Sequence, residues 1–389
     1  MYSATSAFAG EIAKKNIKPL REFLIGTSDY SSFVMTWPSI GKNWLELAPQ
    51  SVTINLSNAA KTFNFFKSDP TKLRTSSSIK LGVQYVGSSE LITIYAGTTD
   101  AIVYNNAECS LTLIDKFRRL SDRKVGDTTS ATLYTSSNHL IHDMAWYACT
   151  SLGGLSAITS TSNPDIDYTS FSSWTSVFST DNVRVRGRFT GQQPIEILKK
   201  IALLSNSAIY IESDKIKFAR FNVSDPASLT LDSTTVLNAS MTFDDRSVIN
   251  KAWVSGDYNV TSNTFGITVS DTNSASVATY GLREEIAAET SLWFVDSNSA
   301  INLAQRITFV KKEAYGKLQI ESTLFPMLHT IGDAIIYNDP LLDINDTYRI
   351  MSDTLDMDSG KKMLSIDRSQ YLRAFTLDIS ALDSSDVLS

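Results

Sequence analysis

One stretch of the chain, Val183–Phe221, combines three elements in a fixed order and constrains what the regions on either side can be. It begins with alternating apolar residues that predict a strand. Gly191 and Pro194 then indicate the start of a helix, because proline is tolerated in a first helical turn. Two further alternating runs, before and after Ser213 and Asp214, predict a β-hairpin. Such a compact unit between two long, Ser/Thr-rich halves indicates a connection between two β domains.

The 389 residues leave room for about two or three domains. From Phe23 to about Asp115, and again from Val248 onward, short runs rich in β-branched and aromatic residues are separated by turn residues. Regular short strands at this spacing are typical of sandwiches and barrels. The sequence therefore predicts a mainly β (α+β) fold, with two β-barrel or sandwich domains joined by the strand-helix-hairpin module and accompanied by short helices.

These patterns divide the chain into five expected segments. They are an N-terminal arm (1–20), a first β-barrel domain (21–127), a helical and strand-helix-hairpin connecting module (128–228), a second β-barrel domain with an inserted helix (229–370), and a C-terminal tail (371–389). Within them, apolar residues at four-residue steps predict a helix over Asn138–Leu152. We also predict a strand over Thr62–Phe66, an exposed connection over Ile158–Ser179 with aromatic anchors at Phe171 and Trp174, and a polar connection over Ser224–Ser240.

Charge and targeting signals exclude several classes of protein. The net charge is −6 and no dense run of Lys or Arg occurs, which argues against specific nucleic-acid binding. The N-terminus lacks the basic and apolar regions of a signal peptide, and no run of about 18 apolar residues occurs, so we expect cytoplasmic synthesis and no membrane span. Cys109 and Cys149 are then expected to be buried, reduced thiols, with a disulfide between them as the alternative.

Two groups of residues have the chemistry of metal ligands. His139, His142 and Asp143 could share one helical face and hold zinc, although a further ligand would be required. The alternative is a solvated first helical turn capped by Asn138.

The second group is an acidic loop with oxygen ligands suited to calcium: Asp339, Asp343, Asn345 and Asp346. Its spacing differs from the EF-hand loop, and a turn containing Pro340 is the simpler interpretation.

Paired carboxylates occur at Glu284-Glu285 and at Asp244-Asp245. A glycosidase needs two acids across one cleft, whereas adjacent residues of a strand point to opposite faces. No nucleophile-elbow, Walker or dinucleotide-binding motif occurs. We therefore predict no enzymatic activity, no catalytic, cofactor-binding or metal-binding residues, and no cofactor.

Aromatic residues are the other candidate functional groups. Five tryptophans lie in or near strand and loop segments and could stack on sugars or fill subunit interfaces, namely Trp37, Trp44, Trp174, Trp253 and Trp293. Core packing is the interpretation we favour for most of them.

The second half of the chain resembles the baseplate or tail-tip hub proteins of tailed bacteriophages. The resemblance lies in the order of five segments, Asn250–Asp257, Tyr280–Arg283, a helix of the Ala300–Ala304 type, Gly332–Ile336 and Tyr348–Ile350. The strand-helix-hairpin unit is similar to the segment that lies between two tube-like β-barrels in those hubs. Leu56–Asn58 and Ser110–Asp115 resemble parts of the first barrel.

This resemblance implies a homotrimer in which each subunit offers two similar barrels, so that a pseudo-sixfold ring adapts a hexameric tail tube to a threefold tip. The partners it implies are the tail tube or distal tail protein, the tape measure protein, and a tip fibre or spike protein. The chain departs from the pattern in having no long C-terminal extension and no obvious sequence repeat between its halves.

The leading hypothesis is thus a structural virion protein of the phage tail, which joins the tail tube to the distal fibre or spike and surrounds the axial DNA passage. Two rival hypotheses are a carbohydrate-binding receptor-recognition protein and a cell-wall hydrolase. The scarcity of His and Cys and the lack of a nucleophile motif argue against the hydrolase.

Overall fold

The computed structural model describes residues 4–12, 19–43, 47–64, 69, 75–85, 88–125, 133–134, 139–181, 183–205, 207–220, 226–314 and 316–367. The predicted C-terminal tail lies outside these residues, as does most of the connection at 126–138. The fold is mainly β, with two curled half-barrel sheets, which confirms the predicted fold class.

The strands of the first half are β1 Pro19–Ile25, β2 Ser28–Asp29, β3 Val34–Thr36, β4 Ser39–Asn43, β5 Ser51–Ser57, β6 Ser76–Tyr85, β7 Ser88–Tyr104 and β8 Glu108–Ile114. Those of the middle are β9 Leu133–Tyr134, β10 His139–Leu140, β11 Arg184–Phe189, β12 Ser207–Glu212 and β13 Lys215–Arg220. The remainder are β14 Leu229–Asp232, β15 Val236–Thr242, β16 Lys251–Asn259, β17 Thr264–Thr272, β18 Glu284–Ala288, β19 Leu292–Phe294, β20 Lys317–Ser322, β21 Ala334–Asp339, β22 Ile344–Asp356 and β23 Lys361–Asp367.

The helices are fewer and mostly short. They are α1 Ser6–Ile12, α2 Phe117–Ser121, α3 Ile141–Tyr147, α4 Tyr168–Asp181, α5 Pro194–Ser205, α6 Ser274–Tyr280 and α7 Ser297–Lys311. The longest, α7, is capped by Asp296, whose carboxylate accepts a hydrogen bond from the Ser299 amide at 2.7 Å, and it is the helix predicted in the second half.

The first sheet contains seven strands in the order β2-β1-β6-β7-β8-β5-β3, with every pair antiparallel. Along β5 buried and exposed residues alternate, so that Ile54 and Leu56 face the core while Thr53 and Asn55 face outward. The two terminal strands, β2 and β3, are separated in sequence by only a few residues. The sheet therefore curls until its two edges approach each other.

The second sheet has the order β14-β21-β22-β23-β20-β15, with β14 parallel to β21. The long strand β22 pairs with β21 along its first half and with β4 along its second half. A strand from the first half of the sequence thus completes the second sheet. Ser352–Asp356 of β22 lie opposite Asn43–Ser39 of β4 in antiparallel register.

The connecting unit has the predicted order, with β11 followed by α5 and the β12–β13 hairpin. Ser213 and Asp214 at the hairpin turn have φ values of 49° and 63°, as expected of a type I′ turn. Its buried face, which includes Ile197 and Ile201, belongs to one hydrophobic core that also contains Ala252 of β16 and Ala304 of α7. The connecting unit therefore packs directly against the β17-β16-β18 sheet and its helix.

The predicted helix at Asn138–Leu152 requires a correction. Asn138 lies outside the described residues, and His139 pairs with Val185 in the short strand β10. The helix begins only at Ile141, after the extended residue Leu140 and without a side-chain cap, so the predicted cap at Asn138 is wrong. Pairing with β11 satisfies the backbone groups that a helix would otherwise have used.

The predicted exposed connection at Ile158–Ser179 is wrong in its second part, which forms α4, although Phe171 and Trp174 are buried as the predicted anchors. Tyr168, Phe171 and Trp174 recur at three-residue steps and therefore share one helical face. The rings of Phe171 and Trp174 lie 5.0 and 5.1 Å from the ring of Phe218 on β13. Tertiary packing of these rings outweighs the weak helix propensity of the Ser and Thr residues between them.

Two further predictions fail for local reasons. The Thr62–Phe66 strand is a 3-10 turn over Thr62–Asn64, where the buried Asn58 side chain accepts a hydrogen bond from the Phe63 amide at 3.0 Å. The polar connection at Ser224–Ser240 contains β14 and the start of β15. These strands have weak apolar patterns, and they form because both pair with neighbours in the second sheet.

The two cysteines are both free and buried, as predicted, and lie in different cores. Burial raises the pKa of Cys109 to about 11 and that of Cys149 to about 12, so both remain protonated thiols at neutral pH.

Asp115, between β8 and α2, carries an energetic cost that can be measured. Burial raises the pKa of its carboxyl to about 7, although the Phe117 amide donates a hydrogen bond to it at 3.0 Å. Because the ordinary value is 3.8, ionisation of Asp115 destabilises the fold increasingly as pH rises from about 4 to 7. In Asp115→Asn this cost is absent, while the amide oxygen still accepts from Phe117.

We therefore expect the free energy of unfolding of Asp115→Asn, relative to the wild type, to be about 2 kcal/mol more favourable at pH 8 than at pH 5. Urea unfolding at both pH values measures this difference, and pH-independent effects of the amide cancel. The exposed control Asp122→Asn should show no such difference. An equal effect of Asp115→Asn at the two pH values would contradict the argument.

Candidate functional site

The candidate zinc ligands are not assembled into a site. His139 lies in β10, whereas His142 and Asp143 lie in the first turn of α3. The His142 Nε2 atom is 3.6 Å from an Asp143 carboxylate oxygen, and burial lowers the pKa of His142. Among the described residues, no three or more His, Cys, Asp or Glu side chains converge as metal ligands would.

The predicted acidic loop is shorter than its four candidate ligands imply: the turn between β21 and β22 covers only residues 340–343, while Asp339 ends β21 and Asn345 and Asp346 lie within β22. The buried Asp339 carboxylate accepts hydrogen bonds from the Tyr337 hydroxyl at 2.8 Å and from the Leu341 amide at 2.9 Å. Asp343 has a φ of 54°, in the left-handed region that Asp tolerates in turns. The hydrogen bonds that the Asp339 carboxylate accepts within the segment favour its simpler interpretation as a turn.

The Glu284-Glu285 pair points to opposite faces of β18, as predicted. Glu284 forms an ion pair with Lys251 at 2.9 Å and accepts a hydrogen bond from the Trp253 indole at 3.2 Å. Glu285 faces the helix side and pairs with Lys311 of α7. The two carboxylates therefore share no cleft.

Asp244 and Asp245 lie at a 3-10 turn rather than in a strand, which corrects the geometry assumed from the sequence. Asp244 accepts a hydrogen bond from the Arg246 amide at 3.0 Å and caps the turn. Asp245 forms an ion pair with Arg283 at 3.1 Å. Each carboxylate has its own cation, which leaves neither poised as an acid or base.

The tryptophans divide between core and partly exposed positions. Trp174 and Trp293 are 2% and 1% exposed, so both fill cores. Trp37 packs at the edge of the first core, and Trp253 lies partly exposed on the outer face of the β17-β16-β18 sheet. Trp44 lies outside the described residues.

A set of buried ionisable residues that the sequence did not single out lies where β4 meets the second sheet. We call Lys42, His329, Asp353 and Lys362 the polar seam. Lys362 and Asp353 are 2% and 5% exposed, and the Lys362 ammonium is 2.9 Å from a carboxylate oxygen of Asp353. Lys42 lies opposite Asp353 in the β4–β22 register. Buried charges of this kind are tolerated only when they are paired.

The Lys362 side chain also binds backbone carbonyl groups of a turn next to the second sheet. Its ammonium donates hydrogen bonds to the carbonyl oxygens of Pro326, at 3.3 Å, and of His329. The turn at Phe325–Leu328 is thereby fixed to β23. The sequence carries one signal of this role, because the alternation along β23 places Lys362 on the same inward face as Leu364 and Ile366.

With this geometry established, comparison with known proteins shows what the fold is similar to. No family model matches the sequence, and no curated protein matches it. Solved structures do match. The 43 kDa tail protein of prophage MuSo2 from Shewanella oneidensis superposes with a TM-score of 0.57 at 16% identity, covering 91% of this chain and 99% of that one.

Two further structures agree. The tail protein from Neisseria meningitidis gives a TM-score of 0.59 at 12% identity, covering 91% of this chain and 98% of that one. The prophage tail protein gp18 from Listeria monocytogenes gives 0.53 at 10% identity, covering 93% and 96%. The chain has the fold of phage tail proteins.

The resemblance to phage tail proteins noted in the sequence is thereby confirmed at the level of fold. The tail-protein fold spans the first sheet, the connecting unit and the second sheet together, since the matches cover most of the chain. No helix in the described ranges is both long and apolar enough to cross a membrane.

Loss of the Lys362 ammonium should strongly destabilise the tail-protein fold. Lys362→Met removes the ammonium that lies 2.9 Å from the buried Asp353 carboxylate, at a cost of about 3–5 kcal/mol. The adjacent Lys361 pairs with Glu321 at the surface, so Lys361→Met should cause a much smaller loss. Urea unfolding of both variants checks this contrast, and equal losses would show that the buried pair is not a stabilising contact.

His329 should make stability fall in mildly acidic solution. Burial, and then the neighbouring Lys362 ammonium, lower its pKa from 6.5 to about 4, with Asp333 opposing. The unfolded chain therefore binds a proton that the folded chain does not. The contribution of neutral His329 is complete above pH 6.5 and is lost as pH falls towards 4.

The decline in unfolding free energy between pH 7 and pH 5 should therefore be smaller in His329→Gln than in the wild type. Denaturation with urea at the two pH values measures it. His139→Gln is the control, since His139 is only partly buried. An unchanged pH dependence in His329→Gln would contradict this account.

Proposed function

We propose that the protein is a structural component of a phage tail tip or baseplate, acting as a homotrimeric hub. The observation that carries the proposal is the match to the 43 kDa tail protein, which covers nearly the whole length of both chains although their sequences are only 16% identical. The chain itself has a mass of 42.9 kDa. The location proposed for it is the virion, after synthesis in the host cytoplasm.

The arrangement of two curled sheets supports the proposed ring. Each of the two sheets contains seven strands, counting β4 in the second. Three copies would place six such sheets around one axis, which suits the junction between a sixfold tail tube and a threefold tip. The sheets differ in topology, because only the second contains a parallel pair, so the proposed symmetry is approximate.

The proposed contacts are with other tail proteins rather than with small molecules. They comprise two further copies of this chain, the tail tube or distal tail protein, the tape measure protein, and a tip fibre or spike protein. The proposal includes an axial passage for DNA, and the negative net charge suits a passage that does not retain it. Under this proposal the chain has no catalytic role.

Carbohydrate recognition, the rival hypothesis, receives less support. It relied on exposed aromatic residues, and Trp174 and Trp293 are buried in cores. Trp253 is partly exposed, but its indole already donates to Glu284 and its ring lies beneath the Lys251 ammonium at 4.5 Å.

The mass of the purified chain in solution tests the proposed ring. We expect light scattering to give three times the 42.9 kDa subunit mass, unchanged on dilution and at high salt. Negative-stain images of the same sample should show threefold particles with a central opening. A monomer at every concentration, with no ring in the images, would contradict the homotrimer.

A further inference from the structure

A cleft of about 550 Å³ opens beside α3. Its principal lining residues are His139, Asp143, Trp146, Tyr147, Thr150 and Ser151. Most of them lie on one face of α3 and of the π-helical turn that continues it over Ala148–Leu152. The cleft thus combines aromatic rings with a carboxylate and hydroxyl groups.

The aromatic part of the cleft is held rigidly from behind. The Trp146 ring centroid is 4.9 Å from that of Phe171, and 6.0 Å from that of Tyr168 in an edge-on contact. Both partners belong to α4, which is packed on the core of the connecting unit. A ligand would therefore meet a ring whose orientation is already fixed.

The remaining wall is also ordered by specific contacts. The Thr150 hydroxyl donates to the Trp146 carbonyl at 2.8 Å within the π-helical turn, a kind of helix irregularity that is frequent at functional sites. Across the cleft, the fully buried Asn163 side chain donates to the carbonyl oxygens of Ser156 and Ile158, at 3.0 and 2.7 Å. The loop that carries Ala157 is held by these bonds.

Among the described residues, the Asp143 carboxylate of the cleft forms no ion pair with a Lys or Arg, unlike several other carboxylates of the chain. Glu284, Glu285 and Asp245 each pair with a Lys or Arg. The Asp143 side chain is 60% exposed, and of the residues that the structure describes only His142 brings a basic nitrogen near it, at 3.6 Å. Burial lowers the pKa of His142 below its ordinary 6.5, so this partner is mostly uncharged at pH 7.

We propose that this cleft binds an arginine side chain of a partner chain. Its guanidinium would stack on the Trp146 and Tyr147 rings and donate hydrogen bonds to the Asp143 carboxylate. A planar cation that stacks on aromatic faces and bonds a carboxylate in two places is the chemistry that such a lining recognises. That the arginine belongs to another tail protein rests on the proposed function. The net charge of −6 makes a basic partner surface complementary.

Two tripeptides that differ only in charge test the proposal on the whole chain. They are acetyl-Gly-Arg-Gly-amide and the same peptide with citrulline, which keeps the shape of arginine but is neutral. Saturation-transfer NMR observes the peptide and suits a protein of this size. We expect the arginine peptide to bind with a Kd on the order of 1 mM, and the citrulline peptide at least about tenfold more weakly.

Two substitutions locate the binding. Asp143→Asn should weaken binding of the arginine peptide at least about tenfold, because it removes the charge of an exposed side chain without changing its size. Glu313→Gln, at an exposed position beyond α7, is the matched control and should leave binding unchanged. Circular dichroism of both variants should match the wild type.

Equal binding of the citrulline peptide, unchanged binding in Asp143→Asn, or no binding of the arginine peptide at 10 mM would each overturn the proposal. Tighter binding of N-acetylglucosamine than of the arginine peptide would assign the cleft to sugars instead. These results are independent of subunit mass. A monomer that binds the arginine peptide would refute the homotrimer but support arginine binding by the cleft. A trimer that does not bind the peptide would support the homotrimer and refute arginine binding.

Discussion

The pairing of β4 with β22 is the contact on which the rest of the molecule depends. β4 lies in the sequence between two strands of the first sheet, yet its backbone bonds complete the second sheet. The same pairing buries Lys42 beside Asp353, where a lone charge would be costly. Backbone hydrogen bonds between β4 and β22 therefore join the two halves, and separating them would leave these backbone groups unpaired and expose the buried Lys42 and Asp353.

The connecting unit reinforces this union through a different force. Its helix and hairpin share one hydrophobic core with the β17-β16-β18 sheet and α7, and the rings of Trp146, Phe171, Trp174 and Phe218 close that core on one side. Apolar burial scales with the area removed from water, so a core that draws on several sequence regions stabilises their arrangement as well as each region.

The candidate binding cleft follows from the same packing. Aromatic residues of α4 fix the Trp146 ring from inside, and this leaves its outer face and the adjacent Asp143 carboxylate towards the cleft. The sequence offered His139, His142 and Asp143 as possible zinc ligands but predicted no metal site; in the structure His139 lies in a strand and His142 is buried. Asp143 remains a candidate binding residue, but its partners in the cleft are the aromatic residues Trp146 and Tyr147, which the sequence analysis did not associate with it.

Local patterns in the sequence were sufficient to predict the elements whose signals are strong. The strand, helix and hairpin at Val183–Phe221 and the inserted helix α7 depend on periodicity and turn chemistry within a few residues. Only tertiary structure decided that the Ser-rich stretch at 168–181 is a helix, that β4 belongs to the second sheet, and that Lys362 binds the Pro326 carbonyl. The physical reason is that these outcomes depend on partners more than thirty residues away, such as Phe218 for Trp174, and a single sequence does not show which distant residues meet.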